Sequence, residues 1–158
     1  MLLPAQSIIK PLGIMIDLDG TLKTESWDNH YNDKIEVNNR VYKFKLRPQI
    51  GTFLSSISKL GDIYINTKAS SRYCRSFIRL MGISGFINGY ISRDSLVLAH
   101  YYRKIVLIDN DKDIMQEKIH FLKKHTDKLI PILISTYKGD DGDKELLRLV
   151  DQIIKVIS

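Results

Sequence analysis

Asp17-Leu18-Asp19-Gly20-Thr21 is the segment of this chain best equipped for chemistry, two carboxylates one residue apart directly after the apolar run Gly13-Ile14-Met15-Ile16. Successive side chains of a strand face opposite ways, so Asp17 and Asp19 share a face while Leu18 points into the core. Gly20 then lets the backbone turn. Such a pair can share one divalent cation and leave one oxygen free to attack phosphorus, which is the chemistry of phosphoryl transfer. The same residues also suit a plain strand-ending turn, where Asp and Gly are common.

Two later segments bear on that choice. Lys104-Ile105-Val106-Leu107-Ile108 ends in Asp109-Asn110, a second acidic strand terminus and the other side of a metal site, or else a solvated turn. A calcium loop starting at Asp109 is excluded, because Ile114 and His120 stand where such a loop needs Gly and Glu. Ile63-Tyr64-Ile65-Asn66 ends in Thr67, followed by Lys68-Ala69-Ser70-Ser71 and a helical pattern. A hydroxyl and free helix N–H groups make an anion site there, although Ser70 or Ser71 equally suits an ordinary helix cap. His30, His100, His120 and His125 have no metal-ligand spacing.

The elements that must position these residues are short and alternate. Gly13 to Leu18, Asp62 to Asn66, Lys104 to Asp109 and Pro131 to Ser135 read as buried parallel strands. Helical patterns lie between or after them at Pro48 to Leu60, Ser70 to Met81, Asp113 to His125 and Asp143 to Ile157. The expected fold is α/β, a three-layer α/β/α sandwich with a mainly parallel sheet. Pro48 suits a first helical turn and Gly61 a helix C-terminus. An insert of about 22–46 follows the first strand, with a hairpin signal where Lys34 to Val37 and Val41 to Leu46 flank Asn38-Asn39-Arg40. Leaving the carboxyl end of that strand, it overhangs the site. Trp27, His30 and Tyr31 line the entrance or pack the insert against the body.

The 158 residues fit a single domain that buries roughly two-thirds of its unfolded surface. No stretch approaches the roughly 18 uncharged apolar residues of a membrane span, and Met1 to Pro4 lack a signal peptide's basic region, so a cytoplasmic location without membrane association is expected. Cys74 is the one cysteine, which rules out an intrachain disulfide or a thiolate zinc site and fits an inert core thiol. The formal charge of +6 favours an anionic partner without naming it.

With these residues in place, the chain resembles the haloacid-dehalogenase-like (HAD) phosphatases, whose sheet is of the Rossmannoid type. Asp17 to Thr21 matches their first motif, Thr67 the second and Asp109-Asn110 the fourth. Leu46-Arg47-Pro48 with Phe53-Leu54, Asn66 to Ser70, and Ile108-Asp109-Asn110 resemble the branch of RNA polymerase II C-terminal-domain phosphatases and NLI-interacting-factor-like proteins. The resemblance implies an aspartyl-phosphate on Asp17, with Asp19 as general acid and base. It implies Mg2+ held by Asp17, the Asp19 carbonyl, and Asn110 or Asp109. Thr67 and Arg93 would hold the transferring oxygens, with Lys68 also able to enter. Arg93 stands where the family has a lysine, a departure, because a guanidinium fork is not a point charge.

Only 25 residues separate Thr67 from Arg93, too few for a large cap, so an open site is expected. Open members of the superfamily commonly act on macromolecules. A phosphoprotein is the favoured substrate, and nucleic acid is also admitted. The alternatives are a polynucleotide-end or small-metabolite (nucleotide) phosphatase, and a phosphoryl-binding scaffold of the same fold with weak turnover. Oligomeric state is not encoded in any pattern found.

Overall fold

A computed structural model describes residues 10–26, 30–92, 101–123 and 129–158. Its centre is a sheet of β1 (Lys10–Ile16), β4 (Asp62–Thr67), β5 (Gly89–Ser92), β6 (Tyr102–Asp109) and β7 (Leu129–Leu133). Their spatial order is β5-β4-β1-β6-β7, every neighbouring pair parallel. Parallel strands covered on both faces need apolar residues at every position, which is why β1 and β6 read as unbroken runs. Ile14, Ile16, Val106 and Ile108 face the larger core, whereas Met15, Ile105 and Leu107 face the smaller one.

Three helices cover the first face: α1 (Ile50–Ser58), α2 (Ser71–Leu80) and α4 (Glu145–Ile157). They bury Phe53, Leu54 and Ile57; Tyr73, Cys74 and Phe77; and Leu146, Leu149 and Ile153, each set at helical spacing. α3 (Lys112–Leu122) packs Met115 and Leu122 onto the opposite face. The layers are therefore α/β/α. Burial pushes the Cys74 thiol up to about 11, helped by the nearby Asp19 charge, as befits an inert core thiol. Among the described residues no helix is long and apolar enough to cross a membrane.

The insert contains β2 (Asp33–Val37) and β3 (Arg40–Phe44), an antiparallel pair. Asn38 and Asn39 form its turn at φ 53° and 63°, the left-handed conformation that asparagine tolerates in tight hairpins. Arg40 belongs to β3 rather than the turn, since it pairs with Val37. Tyr42 meets Tyr73 edge-on at 5.1 Å and Phe44 packs on Phe77 at 5.7 Å, so the hairpin is fastened to α2. Tyr31 donates to the Lys138 carbonyl at 3.3 Å, a contact with the body of the domain. His30 is exposed, and Trp27 lies outside the described residues.

Element ends shift by a few residues from the sequence reading, the last strand most plainly, expected over 131–135 and found at Leu129–Leu133. α1 starts at Ile50, because Gln49 adopts φ 69° and interrupts the helix expected from Pro48. Gly61 is required by close approach, since a Cβ there would stand 2.6 Å from the Leu12 carbonyl oxygen. β5 was not foreseen: its β-favouring pair Tyr90-Ile91 is too short to stand out, and the segment is a strand by virtue of pairing with Tyr64 to Thr67.

Ser70 resolves the ambiguity at the start of α2. Its side chain accepts the Tyr73 N–H at 3.2 Å, which makes it the helix cap. Ser70→Ala is expected to cost about 1 kcal/mol of stability, read as a lower urea midpoint at unchanged slope. An unchanged midpoint would mean that the cap is energetically idle.

Candidate active site

Three parallel strands deliver their ends to one edge, and the loop after β1 is built to hold its carboxylates there. The Asp17 N–H donates to the Ile108 carbonyl at 2.9 Å, carrying β1 one residue past its last paired position. Leu18 is fully buried in the larger core, which leaves Asp17 and Asp19 on the open side. Gly20 turns the chain at φ 82°, a conformation that disfavours any side chain. The Thr21 and Leu22 N–H groups close back on the Leu18 carbonyl, and Tyr137 N–H donates to the Gly20 carbonyl at 2.8 Å.

Asp17, Asp19, Thr67, Lys68, Asp109 and Asn110 line one cavity of about 390 Å³. Thr67 Oγ1 accepts the Ala69 N–H at 3.2 Å, so its own hydrogen remains to be donated. Asp109 is buried with both oxygens engaged: Oδ1 accepts the Asp111 N–H at 3.0 Å and Oδ2 accepts Lys118 Nζ at 2.8 Å. Asp111 in turn caps α3, accepting from the N–H groups of Asp113 and Ile114. Arg93 lies outside the described residues, as do His100 and His125.

Among the described residues no three His, Cys, Asp or Glu side chains cluster to hold a metal. The donor set is of another kind. With the Asn110 amide oxygen inward, it stands 2.9 Å from Asp17 Oδ2, 3.1 Å from the Asp19 carbonyl oxygen and 3.1 Å from Thr21 Oγ1. Oxygens sharing a small octahedral cation at about 2.1 Å stand about 3 Å apart along an edge. Acceptors crowded in this way repel unless a cation lies among them. Turned over, the amide nitrogen donates to the same oxygens while the amide oxygen accepts from Thr136 Oγ1. With no cation among them, the nitrogen-inward orientation is the one that satisfies both ends of the amide. Asp17, the Asp19 carbonyl and Asn110 fit a small hard cation; Asp109 is committed to Lys118.

Burial, and then the neighbouring Asp109 carboxylate, push the Asp17 carboxyl up to about 7, with Lys118 pulling against them. Asp19 is half-open to solvent, and a buried cation holds it from behind: Lys23 donates to Asp19, to the Thr24 carbonyl at 3.0 Å and to Ser26 Oγ at 2.9 Å. Phe44 and Tyr73 enclose that ammonium at 5.0 and 5.2 Å. Burial lowers the Lys23 pKa while Asp19 opposes the shift.

Sequence reading missed Lys23 and Lys118 as site residues. The available signal was weak: Lys118 falls in register with Met115 and Leu122 on the buried side of α3. Arg47 figured in the resemblance without a role. It is buried, pairs twice with Asp143 and donates to the Thr21 carbonyl at 3.2 Å, so it ties the Asp17–Thr21 loop to the segment between β7 and α4.

The model of the NLI interacting factor-like phosphatases matches residues 12–158. The chain belongs to that family. Its site residues thus sit in the family's domain from β1 to α4. A curated relative, an RNA polymerase II C-terminal domain phosphatase of Encephalitozoon cuniculi (strain GB-M1), is 27% identical over 116 residues, which cover 64% of this chain and 28% of that protein. The chain therefore spans little more than a quarter of that relative. The HAD domain of the Legionella pneumophila effector protein Lem4 superposes with a TM-score of 0.60 at 13% identity, covering 94% of this chain and 95% of that one. Fcp1, an essential RNA polymerase II CTD phosphatase, superposes with a TM-score of 0.59 at 17% identity, covering 92% of this chain and 49% of that one. At such identities the family's shared feature is the fold.

Proposed function

We propose that this chain is a phosphomonoester hydrolase that passes its substrate's phosphoryl group through Asp17. The observation that carries the proposal is the convergence of Asp17, the Asp19 carbonyl and the Asn110 side-chain amide in a cavity that Thr67 also lines. An ionised Asp17 oxygen attacks phosphorus, and the ester oxygen leaves with a proton from the Asp19 carboxyl. Asp19, now a carboxylate, removes a proton from water, whose oxygen attacks the aspartyl-phosphate; inorganic phosphate leaves and Asp17 is regenerated. Lys23 holds the Asp19 carboxyl group at the cavity wall throughout. Thr67 donates to a phosphoryl oxygen and Lys68 lines the same cavity, while Arg93 keeps the phosphate role that the family resemblance implies. A divalent cation held by Asp17, the Asp19 carbonyl and Asn110, magnesium on this reading, offsets the charge that opposes approach of a phosphate dianion.

A phosphoprotein is the substrate this reading favours. Among the described residues the hairpin is fastened to α2, Asp19 is partly open to solvent, and the net charge of +6 draws anionic polymers. The matched relative, a C-terminal domain phosphatase, points the same way. Magnesium-dependent phosphate release from an aryl phosphate tests the chemistry. Phosphopeptides, 3′-phosphorylated oligonucleotides and free nucleotides, compared by kcat/KM, test the substrate, and phosphopeptides are expected to lead. A preference for free nucleotides would overturn the substrate class. Phosphate binding without turnover would replace the hydrolase by a phosphoryl-binding scaffold.

A further inference from the structure

α3 turns Met115, Lys118 and Leu122 inward, a spacing at which the fold itself asks only for a third apolar side chain. A lysine stands there with 6% of its surface exposed. A buried ammonium is costly unless paired and hydrogen-bonded, and apolar residues of similar volume often serve stability as well. Its head reaches the carboxyl edge of the sheet. Nζ donates to Asp109 Oδ2 at 2.8 Å and to the Asn66 carbonyl at 3.4 Å, so it bridges the ends of β6 and β4, next to Asn110 and Thr67. It also lines the cavity with Asp17 and Lys68.

An ammonium has three N–H groups. Those of Lys23 are taken up by Asp19, Thr24 and Ser26, so that cation has no donor left for a substrate. Lys68 is exposed and solvated. Lys118 spends two N–H groups on Asp109 and Asn66, and the third remains for an acceptor in the cavity.

We infer that Lys118 is the fixed, buried cation of the phosphate site, donating its third N–H to a non-bridging oxygen of the bound phosphate. It offsets the charge that Asp17, Asp109 and a phosphate dianion bring together. The assignment rests on the hydrolase reading above and gives a helix beyond β6 a task that sequence reading gave to Arg93.

Inorganic phosphate is the probe, titrated calorimetrically in magnesium buffer. Lys118→Met is expected to weaken its binding at least about tenfold, the loss of one charge-assisted hydrogen bond, and to lower kcat/KM for an aryl phosphate, with Arg93→Met measured alongside. Lys118→Met leaves Asp109 buried and unpaired, so the decisive comparison is Asp109→Asn against Asp109→Asn/Lys118→Met, which removes both charges and keeps the fold testable. Tenfold weaker phosphate binding in the double variant supports the assignment. Binding within threefold of the single variant, with only the melting temperature changed, would overturn it and leave Lys118 a structural partner of Asp109. A wild type that binds phosphate through Lys118 without hydrolysing esters would sink the hydrolase reading while retaining the cation.

Discussion

Asp17→Asn is expected to remove phosphatase turnover by several orders of magnitude and, in the same molecule, to raise the stability of the metal-free protein at pH 8. The first effect follows from the loss of the attacking carboxylate. The second follows from where that carboxylate sits. Burial and the Asp109 charge raise the Asp17 pKa from 3.8 to about 7 in the folded protein, so between those values the folded state holds a proton that the unfolded chain has released. Stability therefore declines as pH rises from about 4 to about 7 and stays low above that. A rise of this kind corresponds to a penalty on the order of a few kcal/mol at pH 8, which a neutral asparagine avoids. Calorimetric melts in EDTA should show the variant and wild type together near pH 4 and the variant melting higher at pH 8, with magnesium narrowing the gap by stabilising the wild-type carboxylate. Turnover surviving in Asp17→Asn would reject Asp17 as nucleophile. A stability difference that is flat across pH would reject the buried-carboxylate account.

The largest loss of stability is expected from Arg47→Ala. Arg47 Nε and Nη2 pair with Asp143 at 2.8 and 3.0 Å, Nη1 donates to the carbonyls of Ser135 and Thr21 at 2.9 and 3.2 Å, and Nη2 also reaches Ser135 Oγ at 3.1 Å. All five guanidinium N–H groups are thus used. Truncation strands a largely buried Asp143 and two carbonyls, and breaking such a pair from one side typically costs about 3–5 kcal/mol. For a chain of this length that lowers Tm by roughly 10 °C. Arg47→Lys should recover little, because one ammonium cannot span a fork-shaped set of acceptors. Urea melts read the loss directly; a value below about 1 kcal/mol would mean that the pair behaves as an exposed one. Because Arg47 holds the Thr21 carbonyl, whatever folds should also turn over more slowly.

Much of this architecture was legible from local pattern. β1, β4 and β6 announce themselves as apolar runs because strands covered on both faces admit little else, and Asn38-Asn39 fixes the hairpin turn because few residues tolerate consecutive left-handed conformations. β5 was not legible, because Tyr90 and Ile91 are too short a β-favouring run, between Gly89 and Ser92, to stand out until Tyr64 to Thr67 lies beside it. The same division runs through the site. Asp17, Asp19, Thr67, Asp109 and Asn110 each follow a recognisable strand, and strand ends in a parallel sheet gather at one edge.

Sequence by itself therefore determined which chemistry-bearing residues stand at the ends of buried strands, and with them the α/β/α class and the family resemblance. Tertiary structure alone decided how the charges are shared out: Lys23 behind Asp19, Lys118 on Asp109, Arg47 across to Asp143, and the Asn110 amide facing Asp17 and the Asp19 carbonyl. The physical reason is that periodicity fixes which face a residue takes but not which partner meets a buried charge: folding supplied Asp19 to Lys23 from four residues away, Asp109 to Lys118 from nine and Asp143 to Arg47 from 96.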